Sequence, residues 1–180
     1  VLGVVFTVTL VWWQFPKLQQ AISLPVKLVV YPTLFFGVRI FSRAFFGKVF
    51  AVELAAAIGT VAAVFAAALS VDNALVLAVT YVCSVFWSSS GSYLAARIAG
   101  PLNLSFSWVV IAATGLVAAT LCLLTTVFVG MQASTLAPDI SQGNEYYPGF
   151  MVASFFGPIS AVMTAGVLSH LRNRKQLQSF

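Results

Sequence analysis

The sequence predicts an all-α integral membrane protein: a bundle of about five transmembrane helices with one basic interfacial segment and a candidate re-entrant loop. Three observations lead there. Hydrophobic residues make up 61% of the 180 and charged residues only 7%, with a mean hydropathy of +1.00. That leaves too few charged side chains to coat a soluble core. Apolar runs approach or exceed the roughly 20 residues that span hydrocarbon. Within those runs small residues recur every four positions, the spacing that lets backbones approach closely in lipid.

Val1 to Phe15 reads as a first apolar helix with Trp12 and Trp13 near its end, where an aromatic belt marks the interface. Val1 stands where an initiator Met is expected, so the chain reads as processed or shortened. Residues 17–48 carry Lys17, Lys27, Arg39, Arg43 and Lys48 and no acid. Pro25 and Pro32 should break any long helix there. Arg39 and Arg43, four apart, share one helical face among Phe35, Phe36, Phe41, Phe45 and Phe46. The expectation is a segment lying in the interface, with Arg39, Arg43 and Lys48 on anionic headgroups and the rings in the acyl boundary. Residues 1–48 thus form a first helix plus an interfacial segment, and 49–180 a four-helix bundle, all one membrane domain.

The four further spans fall near 49–70, 73–88, 104–130 and 149–171. The first two form a hairpin turned at Asp72-Asn73, and the second runs into Ser88-Ser89-Ser90-Gly91-Ser92, read as a polar loop at membrane depth. Ala55, Gly59 and Ala63 form a small-residue stripe on the first of these spans. Gly115 and Ala119 repeat the spacing on the third span, and Gly157 and Ala161 on the fourth. Pro158 should bend that last span. With the segment before Lys48 not crossing, all nine basic residues share one face and Asp72, Asp139 and Glu145 the other. The positive-inside rule then puts the carboxyl terminus on the cytoplasmic, matrix or stromal side.

Chemistry-bearing residues are few. Glu53 is the only acid inside a span, where a charge costs about 2.5–3.5 kcal/mol at the helix centre on insertion scales. It reads either as a proton or ion site or as a carboxylate near the interface bracing a neighbouring loop. The bracing role is the expectation, shared with Arg97. The serines around Gly91 have no His–Asp partner and no hydrolase elbow, and their hydroxyls are expected to satisfy backbone where the helix frays. His170, the only histidine, is a weak candidate for holding a pigment or haem, and a histidine at a helix C-terminus beside basic residues is more often dipole-compatible surface. Cys83 and Cys122 are too few for a disulfide or metal framework. No metal cluster, phosphate loop or carboxylate pair is present, nothing argues for an enzyme, and no basic-aromatic module argues for nucleic acid. Bound lipid is the one ligand expected.

Val52-Glu53-Leu54 with Gly59-Thr60, Ala74-Leu75, Arg97 with Gly100-Pro101, and Trp108-Val109 together resemble one repeat of the aquaporin (major intrinsic protein) family. The likeness covers about residues 52–118. It implies a half-helix folding back into the membrane, braced by Glu53. Leu94-Ala95-Ala96 stands where the family's Asn-Pro-Ala box belongs, so the asparagine that contacts passing water is lost.

Two function classes follow. The first is a non-catalytic accessory subunit packed among other integral membrane subunits of a larger complex, with an organellar, energy-transducing inner membrane as its setting. The second is a degenerate aquaporin-like channel or small-solute transporter, with Ser88 to Arg97 as its constriction.

Overall fold

The computed structural model describes residues 24–68, 74–99, 104–136 and 147–177, and everything described in regular structure is helical. The five helices are α1 (Leu24–Phe46), α2 (Phe50–Ala68), α3 (Ala74–Ile98), α4 (Leu104–Leu136) and α5 (Tyr147–Leu177). Three segments are long and apolar enough to cross a membrane: Phe50–Ala68, Phe106–Gln132 and Ser154–Asn173. The expectations for Val1–Phe15, Lys17, Asp72, Asp139 and Glu145 fall outside the described residues.

Two expectations are corrected. Pro32 does not break α1, which continues through it to Phe46. The helix packs along α2 and α3, where Val38 clusters with Ala56, Ala57 and Val85. Tyr81 of α3 donates to the Leu34 carbonyl at 3.3 Å. Pro32 forfeits one backbone hydrogen bond, and the apolar face of Phe35 and Val38 buried beyond it offsets that loss.

The second correction concerns Ser88 to Ser92. These residues form no loop, because α3 runs unbroken from Ala74 to Ile98, ten residues past the end read from the sequence. The serine and glycine side chains fit a helix packed tightly on its neighbours. A Cβ at Gly91 would stand 2.6 Å from Val162 Cγ2.

The connection between α1 and α2 is an elbow. Gly47 takes a positive φ of 79°, and its amide donates to the Arg43 carbonyl at 3.1 Å, a left-handed helix C-cap. The Val49 carbonyl then accepts from Val52 and Glu53, both at 3.0 Å, to start α2. So short an elbow leaves α2 nowhere to run but back along α1.

Helix α5 packs against α2, α3 and α4. Its contact with α2 is built from small residues: a Cβ at Gly59 would stand 2.5 Å from Ala161 Cβ and 2.6 Å from the Gly157 carbonyl oxygen. Gly157 faces Ala63 in the same way. Gly115 of α4 meets Val162, and Ala55 and Ala119 are fully buried. One end of the molecule is drawn together by Phe46 against Tyr93, with ring centroids 5.2 Å apart. There Asn173 also donates from Nδ2 to the Ala99 carbonyl at 2.9 Å.

Gly59→Ala should lower stability by about 1–3 kcal/mol through overpacking against backbone. Gly130→Ala, whose new Cβ meets nothing within 4 Å, should be neutral or stabilise by up to about 1 kcal/mol. Thermal unfolding in mild detergent checks the pair.

Candidate functional site

The described charges gather at one end. Arg39 and Arg43 lie in the last two turns of α1, Lys48 in the elbow, Glu53 in the first turn of α2 and Arg97 in the last turn of α3. Arg172 neighbours Asn173, which is bonded to the end of α3. Helical spacing aims Arg39 and Arg43 to one side, and the Gly47 elbow brings α2 back along that side.

Glu53 meets both arginines. Arg39 Nε donates to Oε2 at 2.9 Å and Arg43 Nε to Oε1 at 2.7 Å. The Glu53 side chain is 3% exposed, against 37% and 43% for the two arginines. The carboxylate is therefore shut in while each guanidinium keeps a wet edge. Its partners are side chains of a helix, where a loop backbone was expected. Both oxygens are committed to charge-assisted hydrogen bonds, which are about twice as strong as neutral ones. One negative charge faces two positive ones, so the cluster keeps a positive excess.

Arg97 is separate. It donates from Nε at 3.1 Å and from Nη2 at 2.6 Å to the Tyr93 hydroxyl, a contact within α3. His170 sits edge-on to Trp108 with centroids 6.1 Å apart. Among the described residues no group of three His, Cys, Asp or Glu side chains could hold a metal.

A second polar feature escaped the sequence reading. Thr80, Ser84, Ser88 and Ser92 recur every four residues on α3 and are all fully buried. Thr80 donates to the Val76 carbonyl at 2.8 Å. Ser84 contacts Cys122 Sγ at 3.8 Å, and Cys122 contacts Thr126 at 3.9 Å. The Ser88 and Ser92 hydroxyls make no hydrogen bond among the described residues. By contrast, Ser90, off this line, bonds back to the Phe86 carbonyl at 2.8 Å. The fourfold spacing was available in the sequence, but reading residues 88–92 as a loop hid it.

Between α1, α3 and α4 an open, apolar cavity of about 430 Å³ is lined by Gly37, Phe41, Tyr81, Phe86, Trp87 and Thr125, among others. Trp87 Nε1 donates to Thr125 Oγ1 at 3.0 Å, which leaves the wall few free polar groups.

Among the described residues, fold and site together define a helical bundle with three apolar helices of membrane length and one arginine-clamped acid. No family model, curated protein or solved structure matches it.

Removing one arginine should cost about 1–2 kcal/mol, since the other still pairs with Glu53. Replacing both by alanine should cost about 3–5 kcal/mol, because the shut-in carboxylate is left uncompensated. Adding Glu53→Gln to that double variant should restore part of the loss. Unfolding in detergent over the resulting mutant cycle measures the coupling.

Proposed function

We propose that the chain is a non-catalytic, multi-pass membrane subunit that packs laterally against other membrane proteins in a larger assembly. The observation that carries this reading is the two-sidedness of α4. In an 18-residue stretch of its segment Phe106–Gln132, 33% of the residues are buried, against 72% in the corresponding stretch of Phe50–Ala68 on α2. Ile111, Ala118, Cys122 and Thr126 face the bundle. On the opposite side Phe106, Val109, Leu116, Leu124 and Phe128 stand exposed at helical spacing, with exposed Ala113 and Thr120 as gaps between them. Large side chains alternating with small ones give the ridges and recesses into which a neighbouring helix packs. The small residues on α2 and α5 are spent on each other inside the chain, so α4 is the face left for a partner.

In this reading the end bearing Arg39, Arg43, Lys48, Arg97 and Arg172 faces the cytoplasmic, matrix or stromal side. The carboxyl terminus lies there too. An organellar inner membrane holding an energy-transducing complex is the setting we favour.

The buried hydroxyl line on α3 favours a second reading, a degenerate aquaporin-like channel or small-solute transporter. Unpartnered Ser88 and Ser92 offer donors and acceptors in the interior, as a polar path requires.

Native electrophoresis in mild detergent separates the two. A subunit migrates with a fixed set of other polypeptides, is released by Leu116→Trp or Leu124→Trp on α4, and adds no solute flux to liposomes. A self-contained homo-oligomer that raises osmotic permeability, and loses that flux in Ser88→Ala, Glu53→Ala or Arg97→Ala, would replace the first reading by the second.

A further inference from the structure

The geometry points to a built site for one phosphate-bearing anionic lipid at the elbow of α1 and α2, its headgroup held by Arg39 and Arg43. The inference rests on the chain being a membrane protein and goes beyond a diffuse attraction of basic residues to a charged leaflet.

Three features make the site. Each arginine uses Nε on Glu53, and the Nη groups of both make no hydrogen bond among the described residues. Fixing Nε fixes the plane of the guanidinium, so the shut-in carboxylate pre-sets two partly exposed donor edges beside each other. A planar guanidinium presents parallel N–H groups that match phosphate oxygens. Next is charge: Glu53 offsets one arginine, the second is left over, and exposed Lys48 stands in the adjoining elbow. The last is apolar surroundings. Phe36, Arg39, Ile40 and Arg43 share one side of α1 by their spacing. Phe36 and Ile40 are exposed there, as is Phe50 at the start of α2. A basic headgroup clamp above bare apolar surface suits an amphiphile with acyl chains better than a free anion.

Glu53 supplies the decisive test, because the two explanations predict opposite signs. If positive charge alone attracts the lipid, Glu53→Gln adds net charge and tightens binding. If the carboxylate orients the arginines, Glu53→Gln weakens it. The purified full chain in phosphatidylcholine nanodiscs is titrated with phosphatidylglycerol, and bound lipid is counted by native mass spectrometry. One phosphatidylglycerol per chain is expected. Glu53→Gln, and separately Arg39→Lys and Arg43→Lys, which keep charge but lose the fork, should each weaken it about tenfold, the equivalent of one charge-assisted contact. Circular dichroism restricts the comparison to folded variants, and the two lysine variants carry the test if Glu53→Gln does not fold.

Binding that is unchanged or tighter in Glu53→Gln, or unchanged in both lysine variants, overturns the inference. So does displacement of the lipid by inorganic phosphate, which would make this a site for the free anion. A chain that inserts in nanodiscs yet shows any of these results loses the lipid site while its place in a larger assembly stands. A solitary channel that binds the lipid as described does the reverse.

Discussion

The carboxylate in the first turn of α2 dictates where α1 must go. A charge excluded from water is tolerable only when paired and hydrogen-bonded, and Glu53 has both oxygens on guanidinium groups of α1. Two arginines one turn apart present that pair of donors only if α1 runs back along α2, and the left-handed Gly47 makes such a reversal short. The same alignment carries Val38 onto Ala56, Ala57 and Val85, so burial of the apolar face and neutralisation of the acid demand the same arrangement. Local backbone geometry, electrostatics and packing agree at this corner, and agreement across levels is what selects one arrangement over its competitors.

Away from that corner the interior is held by closeness rather than bulk. Gly59, Ala63, Gly157 and Ala161 bring two backbones together, and Gly91 does the same for α3 against α5. Dispersion between backbones at such separations is individually small and collectively large. Hydroxyls fit this kind of core because they are little larger than the alanines beside them. The outer side of α4 is of the other kind, with large exposed apolar groups, and the contrast divides the molecule into a tight seam and a broad flank.

The helical class, and three segments of membrane length, were legible from composition and run length, because both depend on local content. The two misread stretches share a cause. Pro32 and the Ser88–Ser92 cluster are strong local signals for breaks, and in each the tertiary packing of one helical face overrode the signal. The candidate site was half legible. Spacing showed that Arg39 and Arg43 share a face, and the apolar surroundings marked Glu53 as a residue needing a partner. Joining them required knowing that α1 folds back along α2, which depends on a single left-handed residue at Gly47 and leaves no periodic trace.

The position of α5 in the chain has a further consequence for biogenesis. It is the last helix to leave the ribosome among those described, and it is the one wedged against three others. Until it arrives, the glycine notch of α2 lacks the residues that fill it, although Ser84 on α3 already meets Cys122 of α4. A nascent chain stalled before Tyr147 therefore displays the Gly59 and Ala63 notch of α2 without Gly157 and Ala161 to fill it.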